Sequence, residues 1–323
     1  MTLPAPFQSA IAAWLEAHAS GSRREAAAAL SATYKAGGSS RGVDFASYLV
    51  ARLPATFAAV SRVLEEAASL RPGFAPVSLL DAGSGPGTAS WAAAEVWPGL
   101  RHVTFLDSAP DFLKLAAGLA SDAPGPLAGA EAVTGSIEAL PEGLGADLVV
   151  AAYALAEIPL PRAAAAAEKL WAAAGAMLVI VEPGTPAGFA RIRAARELLL
   201  GQGAVPVAPC THALACPISG EDWCHFSVRL ARSRAHMHAK GASVPFEDER
   251  FAYLALAREG APSGLGRIVA PPIHAKPGSS FRVCTQGRIE TRHVARREKA
   301  TYKQTRKLDW GGLIGPAEEE DKA

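Results

Sequence analysis

The chain has 323 residues, half hydrophobic and one fifth charged, which suits one large domain or two ordinary ones with an ample core. A formal net charge of +1 excludes a global field toward nucleic acid or acidic partners, so any affinity of that kind has to be local. No apolar run reaches the roughly eighteen residues of a membrane span, and Met1–Gln8 has neither a signal-peptide nor a transit-peptide pattern. A cytoplasmic chain with no membrane partner is expected, where four cysteines suit a metal site better than disulfides. Residues 1–72 read as a helical region. Ile11, Trp14 and Leu15 share one helical face, and Leu53, Phe57, Val60 and Leu64 recur at helix spacing. Pro54 suits a first helical turn, the glycine–serine stretch 37–42 is a loop, and Arg71-Pro72-Gly73 closes the region.

The next stretch organises the chain. A short apolar run, Val77 to Leu80, ends in Asp81; Gly83, Gly85 and Gly87 follow, and an Ala-rich helical pattern starts near Thr88. This reads as a buried strand, a tight turn and a helix N-terminus. Glycine permits the sharp turn and lets a ligand approach where a Cβ would clash. Free N–H groups at a helix start favour electron-rich ligand groups. A second apolar run, His102–Leu106, ends in Asp107, where an acid would hold a ribose diol by paired hydrogen bonds. Asp81, Gly83, Gly85, Gly87 and Asp107 are therefore candidate cofactor residues. The D-x-G-x-G-x-G spacing resembles the first motif of class I S-adenosylmethionine (SAM) methyltransferases. It does not fit the Gly-x-Gly-x-x-Gly register of dinucleotide enzymes, although those enzymes share the acid of the second strand.

Strand and helix then alternate. Strands at 77–82, 102–107, 131–135, 147–153 and 176–182, with Ala-rich helices between, imply a parallel sheet covered on both faces. Right-handed crossovers place the ligand along one edge of such a sheet. Ile137, in Ser136-Ile137-Glu138 after the third strand, is a candidate contact to adenine, with a core isoleucine as the plain alternative. The fourth strand ends in Tyr153-Ala154-Leu155-Ala156-Glu157-Ile158-Pro159, where amino-directed methyltransferases carry Asn/Asp-Pro-Pro-Tyr/Phe. No cysteine pair of the cytosine-C5 type is evident. Glu157 is the one weak candidate for a catalytic base, against an ordinary glutamate at a helix start. Glu182-Pro183-Gly184 would line the cleft from the fifth strand.

Phe189–Leu200 is a basic helical pattern carrying Arg191, Arg193 and Arg196. Cys210, Cys216, Cys224 and Cys284 follow in the arrangement C-x5-C-x7-C-x59-C. Three cysteines close together, beside Pro209 and Pro217, look like a loop wrapped about a metal, and thiolates favour zinc or an iron–sulfur cluster. The paired C-x2–4-C knuckles of a zinc ribbon are absent, and the wider spacing suits a larger cluster. A set of buried free cysteines is the plain alternative. His212 and His225 are either substitute ligands or surface histidines.

The stretch Trp223–Leu256, WCHFSVRLARSRAHMHAKGASVPFEDERFAYLAL, with PCTHALACPIS before it, resembles the Rsm-type small-ribosomal-subunit methyltransferase-like family of mitochondria and its bacterial relatives. The resemblance runs from about Ala51 to Trp310. It implies a SAM-type Rossmann-like fold and association with the small ribosomal subunit or its rRNA. In the mitochondrial branch it implies a four-cysteine 4Fe–4S cluster, for which Cys210, Cys216, Cys224 and Cys284 are the matching positions.

A late strand is expected at 251–257, and the Pro/Gly-rich segment 261–280 reads as a loop. Residues 288–307 carry eight Lys/Arg against two acids, enough for a local basic surface. Arg288, Arg292, Arg296, Arg297, Lys299 and Lys303 are candidate RNA-phosphate contacts, with a solvated basic face as the alternative. Residues 317–321 read as an acidic tail. The expected fold is α/β: a class I SAM-methyltransferase, Rossmann-like doubly wound sheet with N-terminal helices and a Cys-rich metal-binding insertion. The expected divisions are a helical region 1–72, a SAM-binding core 73–188, a Cys-rich insertion 189–250, late strands completing the core 251–287, and a basic segment with tail 288–323. The expected function is that of a SAM-dependent methyltransferase-like protein acting on or with small-subunit rRNA, carrying an iron–sulfur cluster or, alternatively, zinc. A non-catalytic assembly factor that binds rRNA is the rival, and a monomer is expected away from the ribosome.

Overall fold

The computed structural model describes residues 2–18 and 44–316; the stretches 37–42 and 317–321 lie outside them. Helix α1 (Ala5–Ala17) has proline in its first turn and buries Phe7 and Ile11. Phe7 stacks on Trp91, with ring centroids 4.4 Å apart. A single turn, Phe45–Ser47, is capped by Asp44, which accepts from the Ser47 N–H. It runs through a π-helical segment, Tyr48–Arg52, into α2 (Leu53–Leu70). α2 buries Leu53, Phe57, Val60 and Leu64, the face marked by their spacing.

The five expected strands form as β1 (Ser78–Ala82), β2 (His102–Asp107), β3 (Glu131–Thr134), β4 (Ala146–Ala152) and β5 (Ala174–Pro183). Helices α3 (Thr88–Val96), α4 (Pro110–Ala120) and α5 (Leu160–Ala173) lie between them, and α6 (Pro186–Gly201) follows β5. These strands pair in parallel. Successive side chains of a strand point to opposite faces. Leu79, Val150 and Val179 therefore join the N-terminal helices in one core, while Leu80, Val149 and Leu178 join α5 and α6 in another.

The sheet as a whole is mixed: the five strands read from the alternation are parallel, and the strands after β5 add antiparallel pairing. β6 (Val205–Ala208), β7 (Phe226–Ala231), a short α7 (Arg234–Lys240) and β8 (Phe246–Ala257) come next. β8 runs antiparallel to β5, β6 and β7. The order is β3-β2-β1-β4-β5-β8-β6, with β7 beside β8. The chain turns back on itself through α7, so that β8 lies antiparallel beside β7 from Phe246 to Phe251. Phe251–Ala257 is buried within the sheet, whereas Phe246–Arg250 projects past the end of β5 along β7.

The segment 261–280 is not a plain loop. It contains β9 (Gly266–Ile268), β10 (Ile273–Ala275) and the start of β11 (Gly278–Thr285). With β12 (Arg288–Ala295) and β13 (Leu313–Ile314) these form a second sheet over Ile268, Phe281, Val283, Val294 and Ile314. Of the segment 251–287, only the β8 part completes the main sheet. Strands of three residues between Pro and Gly show too little alternation to be distinguished from turns. Helix α8 (Lys299–Thr305) follows β12. Among the described residues no helix is long and apolar enough to cross a membrane.

Candidate functional site

A cavity of about 340 Å³ opens at the C-terminal ends of the parallel strands. Gly83, Gly85, Asp107, Ile137 and Glu157 line it together, so five of the residues singled out by sequence meet in one place. Tyr48, Phe112, Ser136, Tyr153 and Arg162 add to its wall, and none of these five was marked as a site residue by the sequence pattern. Gly83 and Gly85 have φ of +74° and +51°. A Cβ at Gly83 would lie 2.6 Å from that of Ala154, so the loop closes only with glycine there. A Cβ at Gly85 would stand near Tyr48 Oη and Phe112, on the cavity wall itself. Asp107 holds the loop to β2: its Oδ2 accepts the Gly85 N–H and its Oδ1 the Ala109 N–H, each at 2.8 Å.

Asp81 and Gly87 support this loop from behind and do not reach the cavity. Asp81 is 1 % exposed, and its Oδ2 accepts from the N–H and the hydroxyl of Ser90 at 3.0 and 2.8 Å. That pairing satisfies one of the unpaired N–H groups at the start of α3 and fastens the helix to β1. Burial pushes the Asp81 carboxyl up to about 7. Gly87 is the left-handed N-cap of α3, packed against Phe105. Glu182–Gly184 also stay clear of the cavity. Glu182 is fully buried, accepts the Leu155 N–H at 3.0 Å, and is pushed up to about 8 by burial, against the opposing charge of Arg191.

The end of β4 is covered. Tyr153 adopts φ +61°, in the left-handed region that favours glycine. The Arg52 guanidinium lies 4.3 Å above its ring, and its hydroxyl donates to Glu249 Oε1 at 2.9 Å. Arg52 Nη1 meets the same oxygen at 2.9 Å. Burial, and then the Glu249 charge, hold the Tyr153 hydroxyl well above its ordinary range. The π-helical segment, β4 and the projecting half of β8 thus meet over the place where a reaction partner would approach.

A second cavity, of about 40 Å³, is lined by Cys210, Cys216, Cys224 and Cys284, with Arg196, His212 and Arg267. All four cysteines are free thiols and each lies within electrostatic reach of the others. Burial pushes the Cys216 thiol up, Cys224 well above the ordinary thiol range, and Cys284 up to about 12. Cys284 Sγ stands 3.6 Å from His212 Nε2. Among the described residues no group of three or more His, Cys, Asp or Glu is placed to hold a metal ion, so the expected metal-binding insertion is seen only as a shared cavity. The donor set nevertheless fits a thiolate-bound metal, which would ionise thiols that burial otherwise keeps protonated. Arg267 Nη2, buried at the same cavity, has no hydrogen-bond partner among the described residues. His225 does not line this cavity and stacks on Trp223, with centroids 5.0 Å apart. Arg191 and Arg196, two members of the basic helical pattern 189–200, are both buried.

The basic segment divides. Arg292 is held by Glu290 at 2.5 Å and by the Gly315 carbonyl, and Arg288 pairs with Glu290 at 3.1 Å. Arg292 is therefore committed to the fold rather than offered to a phosphate. Arg296, Arg297, Lys299 and Lys303 are exposed.

A strand reversed between β5 and β6, with a glycine loop and an acid at the strand ends, defines a Rossmann-like α/β protein with its cleft at the ends of the parallel strands. A profile of the family described as mitochondrial small ribosomal subunit Rsm22 matches residues 43–314, and the chain belongs to that family. The human protein named ribosome assembly protein METTL17, mitochondrial, is 31% identical over 288 residues. That match covers 83% of this chain and 61% of the human protein, so the chain spans about three fifths of its relative's length. Magnesium protoporphyrin IX methyltransferase of Synechocystis, solved with SAM bound, is similar at a TM-score of 0.41 and 17% identity, covering 64% of this chain and 80% of that one. Precorrin-6y C5,15-methyltransferase of Geobacter metallireducens gives 0.39 and 15%, covering 62% and 87%.

Proposed function

We propose that the chain is a SAM-dependent methyltransferase-like protein acting on or with small-subunit rRNA, with SAM in the larger cavity and a four-cysteine 4Fe–4S cluster in the smaller. The observation that carries the first part is the meeting of Gly83, Gly85, Asp107 and Ile137 around one cavity at the strand ends. When bound, SAM supplies an electrophilic methyl group on a sulfonium. Gly83 and Gly85 would leave the loop open to the methionine portion, Asp107 would hold the ribose and Ile137 would lie against the adenine. Glu157, on the same wall, would accept a proton from an RNA nucleophile, and fixed proximity would supply much of the rate. Membership of a ribosomal family supports the rRNA partner, and Arg296, Arg297, Lys299 and Lys303 offer exposed charge to its phosphates. Zinc is the alternative metal for the four thiols.

A second reading, a non-catalytic assembly factor that binds rRNA, is favoured by one observation. Arg52 and Glu249 roof Tyr153 where an acceptor would enter, and their side chains are only 14% and 12% exposed. Transfer of labelled methyl from SAM to small-subunit RNA, taken from cells lacking the protein, separates the two. Label on one nucleotide supports the enzyme, and SAM binding without label supports the factor. A protein that binds neither SAM nor this RNA contradicts both.

A further inference from the structure

Two buried arginines stand beside the four thiols. Arg196 of α6 is 3% exposed; its Nε donates to Cys210 Sγ at 3.2 Å, and its Nη2 to the carbonyls of His212 and Leu214 at 3.0 and 2.7 Å. Its guanidinium therefore grips the loop between Cys210 and Cys216 from both sides. Arg267 of β9 is 2% exposed; its Nε donates to the Pro209 carbonyl at 2.8 Å and its Nη1 to Glu66 and the Gly311 carbonyl. Arg267 has Glu66 as a counter-charge, whereas Arg196 has no acid partner among the described residues.

A buried guanidinium without an anion is expensive to desolvate and is retained where an opposite charge is present. Neutral thiols do not provide that charge. Four thiolates around iron or zinc do, because the centre as a whole carries net negative charge. We infer that Arg196 is the positioning residue and charge partner of the cysteine centre, with Arg267 as its second support across the cavity. This inference rests on the four-cysteine centre proposed above. Arg196 fixes the spacing of the first two cysteines through the loop carbonyls and offsets the centre's charge through Cys210. Arg267 ties Pro209, next to Cys210, to the second sheet that carries Cys284. Three separate elements are thereby tied around the one cavity that the four cysteines line.

The test uses the full chain, purified without oxygen, and measures iron, sulfide and zinc per chain and the rate of metal loss to a chelator. Arg196→Met removes the charge and Arg196→Lys keeps it. Arg196→Met is expected to lose metal about tenfold faster or more, as deletion of a charge-assisted hydrogen bond implies, with Arg196→Lys between it and the native protein. A folded Arg196→Met that keeps its metal at the native rate overturns the inference. Should Arg196→Met fail to fold by circular dichroism, Arg196→Lys decides alone. Slower loss than Cys284→Ser supports the charge role, and equal loss overturns it. Native protein free of both iron and zinc would instead refute the four-cysteine centre itself.

Discussion

Arg52 lies over the face of Tyr153, its guanidinium carbon 4.3 Å from the ring centre, and both reach the same Glu249 oxygen. The contact holds a tyrosine in a left-handed conformation that costs of order 1–3 kcal/mol when unsupported. Arg52→Ala removes the cation above the ring and leaves the half-buried Glu249 carboxylate with the Tyr153 hydroxyl but without its charge partner. Urea denaturation should show a loss of about 3 kcal/mol, with faster amide exchange at residues 48–52. A loss under about 0.5 kcal/mol would make the contact an ordinary surface pair.

Two buried carboxyls set a pH dependence whose sign is fixed by their direction of shift. Asp81 and Glu182 are raised in the folded chain, to about 7 and about 8, so the native state keeps protons that the unfolded state has released. Their contribution is full below the ordinary carboxylate range and is lost as pH rises through those values. Glu247 acts in the opposite sense: burial raises it, but His236 and Lys240 outweigh burial and hold it at about 2. Its contribution is present above the ordinary range and is lost as pH falls toward 2. Asp81→Asn with Glu182→Gln should flatten the decline in stability between about pH 5 and 8, measured by urea midpoints. An unchanged decline would assign it to other groups.

The parallel half of the fold was legible because β1 and β2 are apolar runs ended by an acid, Val77–Asp81 and His102–Asp107, and Ala-rich helical stretches separate the strands that follow. β9 and β10 were not, because three residues cannot display a period. In the cofactor loop, spacing identified the right segment but not which member faces the ligand. Asp81 points to Ser90, within the helix it precedes, and that direction follows from packing. Arg52 and Glu249 were invisible for another reason: their meeting at Tyr153 joins segments far apart in the chain. Spacing brings out the cysteines, yet a basic helical pattern does not say which of its arginines α6 turns inward, as it turns Arg196.

The RNA reading predicts a split within the basic segment. Neutral replacement of Arg296, Arg297, Lys299 and Lys303 should flatten the salt dependence of rRNA binding by roughly one unit for each phosphate pairing removed. Arg292→Gln should instead lower stability and leave the slope in place, because that guanidinium is tied to Glu290 and Gly315. A slope unmoved by the four replacements would make the segment a solvated face.

The cluster reading predicts protein that is brown when purified without oxygen, with about four irons per chain, and loss of most of that iron in Cys284→Ser. The same variant should loosen both the cysteine loop and β11, since the centre would link them across a long stretch of chain. One tightly held zinc and no iron would keep the four-ligand site and replace the cluster.

Calorimetric titration of SAM into the purified chain, with NAD as the comparison, tests the cofactor site most directly. Gly85→Val should abolish SAM binding, because the added side chain would stand in the cavity beside Tyr48 and Phe112; the φ of +51° strains it but no atom blocks its Cβ. Gly83→Ala should damage the fold itself, since its Cβ would meet that of Ala154 at 2.6 Å. The account predicts one SAM bound per native chain, no heat from NAD, and no heat from SAM with folded Gly85→Val. A native chain that binds NAD and ignores SAM, or a Gly85→Val chain that binds SAM as the native one does, would contradict it.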